Sequence, residues 1–232
     1  MSELASQKSQ SVRLQLGLMR EHGGDENIFS LLSQLESSSD KIFEAALHST
    51  NGSCMGCGFK PANPRHLCLH HVDLNYTNHA VENLTTLCSF CKAPFHLKLA
   101  GKNKGARLVY WPDISQAQMN RALRALFCAR DLQLEDSALI GKRVFEGLSK
   151  RALVCEETWG TSDPLIFAAA FSQIGPSLDS FLDKTNALRL VLFPSSPFVV
   201  REQMNSYTSQ MKENFQNKRR EDVLYSLVLR QD

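Results

Sequence analysis

Two Cys-x-x-Cys pairs, Cys54/Cys57 and Cys88/Cys91, lie 31 positions apart, counted from Cys57 to Cys88. A Cys-x-x-Cys on a tight turn places two sulfurs at adjacent corners of a tetrahedron, and two such turns close a four-thiolate shell. Gly56 and Gly58, inside and just after the first pair, allow the positive backbone angles of a knuckle. A redox dithiol would need no second pair, and chance spacing explains neither. Cys54, Cys57, Cys88 and Cys91 are therefore the expected ligands of one structural zinc ion per chain. A shell closed by four cysteines leaves no position for water or substrate, so no catalytic residue is assigned. Lys92, directly after the second pair, is read as a charge that offsets the thiolates.

The remaining chain has to supply a conventional core. At 43% hydrophobic over 232 residues it can form one large or two small domains. No stretch reaches the ~20 apolar residues of a membrane span. The start, Met1 to Gln7, lacks a basic region followed by an apolar one. A cytoplasmic protein is expected, and the odd number of cysteines, seven, fits a reducing compartment. Cys68, Cys128 and Cys155 are then expected to be buried thiols. Net charge is +2, with residues 51 to 110 carrying seven Lys/Arg against two Asp/Glu. That excess is too mild for a nucleic-acid stripe, which disfavours DNA or RNA as a partner.

Periodicity divides the rest. Val12, Leu14, Leu16 and Leu18 alternate as in a strand, Ile28, Leu31, Leu32 and Leu35 share a helical face behind Asp25, and Asp40 opens another short helix through Leu47. Leu67, Leu69, Val72 and Leu74 suggest a strand, Glu82 to Cys88 a second, and a helix is expected from the second knuckle toward Leu99. Leu108 to Trp111 reads as a strand closed by Pro112. Ser115-x-x-Gln118 behind it is a capping box, with Ile114 and Met119 as staple. Met119, Ala122, Leu123, Leu126 and Phe127 form one buried stripe; Leu139, Ile140, Val144, Leu148 and Ala152 form another; polar residues cover the opposite faces. Asp163-Pro164 starts a helix that ends at Gly175. Leu188 to Phe193 is strand-like, and Met204, Tyr207, Met211 and Phe215 trace a last helix before an apolar run from Val223 to Leu229. The predicted fold is α+β: a four-cysteine zinc module of two short strands and a helix, packed with a mainly helical C-terminal part. The expected segments are 1–50, an N-terminal strand and short helices; 51–106, the zinc module; 107–193, mainly helical; and 194–232, a helix or tail.

Cys54-x-x-Cys57, Leu69-His70-His71-Val72-Asp73-Leu74, Asn83-Leu84 and Cys88-x-x-Cys91 resemble the zinc-containing branch of the HNH (ββα-metal) endonucleases. The resemblance implies His70 as ligand of a second divalent ion, His71 as general base, and Asn83 as the family's asparagine. Active members carry a histidine directly after the second pair, where this chain has Lys92. His96 lies one turn, about 6 Å, further on, with Pro94 between. The metal-dependent nuclease that acts on DNA with His71 as base, and perhaps His96, is therefore the alternative reading. The preferred one treats His70 as an inward-packed strand residue and His71 as its solvent-facing neighbour.

A wider resemblance adds Tyr110-Trp111-Pro112-Asp113-Ile114-Ser115-Gln116, Leu126-Phe127-Cys128-Ala129 and Gly160-Thr161-Ser162-Asp163-Pro164 to the second cysteine pair. From about residue 12 to about residue 193 the chain is similar to the IcmJ/DotN family of type IVB (Dot/Icm) secretion and conjugation systems. The resemblance implies a zinc-stabilised adaptor, bound to the C-terminal tail of a DotL-like coupling ATPase and to other subunits of the coupling complex. It also implies peripheral association with the inner membrane through that complex. Phe59, Phe90, Phe95 and Trp111 are candidate apolar positions for such a tail, although aromatic residues of this kind are more often core than interface.

Overall fold

A computed structural model describes residues 40–75, 78–174 and 178–217. The strand expected at 12–18, the helix behind Asp25 and the apolar run 223–229 lie outside them. The described chain is mixed α+β and mainly helical, with two separate two-stranded antiparallel sheets.

Helix α1 (Asp40–Ser49) lays Ala46 against Leu69 and Leu84, with Ile42 and Phe43 beside them. Asn51 and Gly52, both at positive φ, turn the chain into the first cysteine pair. Strand β1 (Cys68–His71) pairs with β2 (Leu84–Leu87) in the register Cys68↔Leu87 to His71↔Leu84. β2 enters the second pair through α2 (Ser89–Lys92), a single turn. The helix predicted to continue toward Leu99 is broken. Pro94 brings no N–H and clashes with the preceding turn, so a 3-10 turn at Ala93–Phe95 intervenes before α3 (Leu97–Gly101).

Strand β3 (Ala106–Tyr110) is followed by α4 (Gln116–Asp131), whose capping box forms as predicted: Gln118 N–H donates to Ser115 Oγ and Ser115 N–H to Gln118 Oε1. Next come α5 (Ser137–Trp159), α6 (Pro164–Ile174), α7 (Leu178–Thr185), strand β4 (Leu188–Leu192) and α8 (Arg201–Asn217). β3 pairs with β4 from Ala106↔Leu192 to Tyr110↔Leu188, while Leu108 N–H donates to Ser162 O on its other side. The Thr161-Ser162-Asp163-Pro164 segment thus anchors the sheet edge and starts a helix. Asp163 Oδ1 accepts from Leu165 N–H at 2.8 Å. At Gly101 an added Cβ would stand 2.7 Å from Leu165 N, so a glycine is what lets α3 touch α6.

One hydrophobic cluster runs from the cysteines to α8. It joins Cys54, Cys88 and Phe90 to Leu108, Leu190, Leu123, Phe167 and Tyr207. Two expectations fail here. Cys128 and Cys155 are buried, but Cys68 is only half-buried, at the open start of β1. In α5 only Leu148 and Ala152 of the expected stripe are buried; Leu139, Ile140 and Val144 are 48%, 40% and 40% exposed. The inward line runs instead through Gly141, Phe145, Leu148, Ala152 and Cys155, spaced four, three, four, three. Gly141 faces Leu126, and the Phe145 ring lies 5.8 Å from Phe193. A glycine and a half-buried aromatic mark this face poorly, and the more apolar neighbouring line drew the stripe one position off.

Candidate metal centre

The two knuckles are built by backbone bonds before any ion is considered. Cys54 N–H donates to Phe59 O and Gly58 N–H to Cys54 O, with Gly58 at φ +74°, which closes the first turn. Met55 N–H donates to Thr86 O, fastening that turn to β2. In the second, Lys92 N–H donates to Cys88 O, and Cys88 N–H reaches across to Cys54 Sγ at 3.2 Å. All four sulfurs lie within 4.8 Å of one another, and Cys57 Sγ stands 3.8 Å from Cys88 Sγ. A tetrahedral zinc with Zn–S of ~2.3 Å requires S···S of about 3.8 Å, so the donor set fits that ion. Cys54, Cys88 and Cys91 are at most 1% exposed; Cys57 is the half-buried one. Among the described residues, this is the group of three or more His, Cys, Asp or Glu side chains able to hold a metal.

The charges around the sulfurs come from an unpredicted place. Lys92 does not face them: it is 2% exposed and donates through Nζ to Leu69 O at 2.7 Å, on the other side of the knuckle. The cation at the sulfurs is Arg124, 67 residues beyond Cys57, whose Nη1 lies 3.1 Å from Cys57 Sγ and 3.9 Å from Cys88 Sγ. The neighbouring cysteines, and then the Arg124 guanidinium, hold the Cys57 thiol well below its ordinary value. Burial pushes the Cys54 and Cys91 thiols up.

Arg124 belongs to a row. Gln116, Asn120 and Arg124 follow one another at i, i+4, i+8 along α4 and are 3%, 1% and 9% exposed. Gln116 clamps the backbone of Leu190 in β4, giving Nε2–H to its oxygen and taking its N–H at Oε1, both at 2.8 Å. Asn120 Nδ2 donates to Phe90 O at 3.0 Å and approaches Cys91 Sγ at 3.5 Å. The face expected to be solvated is therefore an internal polar rail from β4 to the sulfurs. A visible signal existed: three hydrogen-bonding residues at a four-residue spacing, flanking the apolar stripe. Helix α8 completes the shell. Gln203 Oε1 accepts from the Ser89 N–H and hydroxyl, its amide donates to His66 O, and Tyr207 Oη lies 3.2 Å from Arg124 Nη1.

The histidines do not assemble as the nuclease resemblance implies. Both are buried, His70 at 1% and His71 at 0%, so the solvent-facing position expected for His71 is corrected. The two-residue alternation of a strand reports exposure only when one face is open, and both faces of β1 are covered. The His70 ring packs on Phe95 with centroids 4.4 Å apart. Burial, then the Lys92 charge, push its pKa down to about 3. His96, beyond Pro94, is driven well below its ordinary value by burial and then by Lys92. His71 Nε2 lies 3.3 Å from His79 Nδ1. Asn83 spans the β1–β2 loop, accepting from Asp73 N–H and donating to Asn78 O. A divalent ion bound by His70 and His96 would have to share their surroundings with an ammonium group.

Among protein-family models, none matches the chain. Across 157 residues it is 29% identical to the type 4 apparatus protein DotN of Legionella pneumophila subsp. pneumophila, covering 65% of this chain and 69% of that protein. Two Cys-x-x-Cys turns gathered into one cluster, and this extended identity, make the chain similar to a relative named as a type 4 apparatus protein, in keeping with the IcmJ/DotN resemblance.

Proposed function

We propose that the chain is a zinc-stabilised, non-enzymatic subunit of a type IV secretion apparatus. It docks on the C-terminal tail of a DotL-like coupling ATPase and helps present substrates for secretion or conjugal transfer. The observation that carries this reading is the match to a relative named as a type 4 apparatus protein. Two further observations support it. Three of the four cysteines are fully buried, as suits an ion that braces the fold. No helix among the described residues is long and apolar enough to cross a membrane. Attachment to the inner membrane is accordingly assigned to the partner.

The tail needs a surface, and the first candidates are withdrawn. Phe59, Phe90 and Phe95 are 7%, 0% and 6% exposed, and Trp111 is half-buried beneath the Arg151 guanidinium, 4.0 Å away. The seam in their place is on α5. Ile140, Val144, Gly147, Arg151 and Val154 recur at four, three, four, three, parallel to the inward line, with Ile140, Val144 and Val154 38–40% exposed. That spacing receives a helical segment, and nothing lies within 4 Å of a Cβ added at Gly147. Replacing Ile140 and Val144 together by lysine is expected to weaken co-purification with the ATPase by about tenfold or more, and removal of the ATPase tail to abolish it. Capture undiminished by either change would overturn the assignment.

The chain is further proposed to have no nuclease activity. Lys92, whose Nζ donates to Leu69 O, depresses the pKa of both His70 and His96 and so disfavours a catalytic divalent cation beside them. Plasmid DNA incubated with the protein and Mg²⁺ or Mn²⁺ is expected to remain intact. Cleavage that disappears in His71→Ala would reverse this reading.

A further inference from the structure

A divalent ion held by four thiolates carries a net charge of −2, and three of these four sulfurs are out of contact with water. Burying such a charge is unfavourable unless a cation or donors answer it. The backbone and Asn120 supply dipoles, but only a full charge alters the sum. Arg124 brings one. Its guanidinium donates to Cys57 Sγ and packs against the Phe59–Tyr207 pair, 4.2 Å from the centroid of Tyr207 and 5.6 Å from that of Phe59, the two rings being 3.6 Å apart. Phe59 immediately follows the first knuckle and Tyr207 lies on α8, so the guanidinium is held by rings from two distant parts of the chain.

The target sulfur matters as much as the charge. Cys57 is the least buried of the four residues, and its sulfur is the one Arg124 approaches most closely. A thiolate whose lone pair is engaged by a charge-assisted donor is a poorer nucleophile and a poorer first point of attack for a chelator or electrophile. Lysine would deliver charge without the planar fork or the stacking.

We infer that Arg124 is a positioning residue of the metal centre: an outer-sphere cation that lowers the charge of the buried four-thiolate site to −1 and guards the sulfur of Cys57, the least buried of the four cysteines. The inference rests on the reading of the cluster as a zinc site, and the experiment separates the two. Purified full chain, R124M, R124K and the control L148A are loaded with zinc. L148A removes a core side chain of α5, 4% exposed, and reports what general destabilisation does. Zinc transfer to a chelating dye is followed in native protein, thiol alkylation is mapped by mass spectrometry, and the sulfur-to-metal absorption of the cobalt form is recorded. R124M is expected to release zinc roughly ten- to a hundredfold faster than wild type, the range typical of lost outer-shell partners, and clearly faster than L148A. Cys57 should be alkylated first, the cobalt band should shift, and R124K should fall between. Release from R124M at the L148A rate, with alkylation spread evenly over the four cysteines, overturns the role of Arg124 alone. If R124M does not fold, R124K against L148A gives the same comparison, with faster release from R124K expected and equal release overturning. A wild-type protein that takes up no zinc overturns the metal reading itself.

Discussion

Cys88→Ser is expected to lose the ion and unfold far more than the two knuckles. Cys88 is fully buried, its sulfur is 3.8 Å from that of Cys57, and its N–H supports Cys54 Sγ. A structural zinc contributes on the order of 10 kcal/mol. That is comparable with the whole stability of a typical domain, about 5–15 kcal/mol. Because the cluster of buried residues is continuous from Cys54 to Tyr207, no apolar seam isolates the damage. Elemental analysis should find the variant without zinc, and its thermal transition should be lost or greatly broadened. One zinc per chain retained, with an unchanged melting curve, would remove the ion from the account of the fold.

Phe90→Ala is expected to cost about 3–5 kcal/mol while leaving metal stoichiometry intact. Phe90 sits between Cys88 and Cys91 with 0% exposure, its ring centroid 6.1 Å from Phe127 and 6.3 Å from Tyr207. Its carbonyl accepts from Asn120, and a backbone oxygen survives the substitution. The variant therefore cuts packing between the knuckle and α4 and α8 without touching a sulfur. At about 2–4 °C per kcal/mol for a chain of this size, the melting temperature should drop by roughly 10 °C. A loss below about 1 kcal/mol would mean that the knuckle and the helices are not one cooperative body.

What could be seen in the sequence were features whose cause is local. The cysteine pairs, the Ser115/Gln118 box and the Asp163-Pro164 start each depend on a few adjacent residues, and each appears where expected. What escaped depends on partners far along the chain. Lys92 and Arg124 are both cations near the site, and nothing local indicates that the first turns toward Leu69 while the second, a long helix away, reaches the sulfurs. Gln116 and Asn120 look like surface residues until Leu190 and Phe90 are brought to them. The alternation of β1 hides that both of its faces are covered, and the half-buried Phe145 hides the inward line of α5.

The grip of Gln203 on Ser89 spans 114 residues, and the Gln210 side-chain amide donates through Nε2 to Lys60 O across 150. Such distant closures bear on the order of events at the ribosome. The second knuckle emerges long before the side chain that satisfies its first N–H, so a nascent chain holds an unfinished cage while the intervening helices are still being made. Closure around the second knuckle then waits for residue 203, so all four sulfurs are made well before the helix that covers that knuckle.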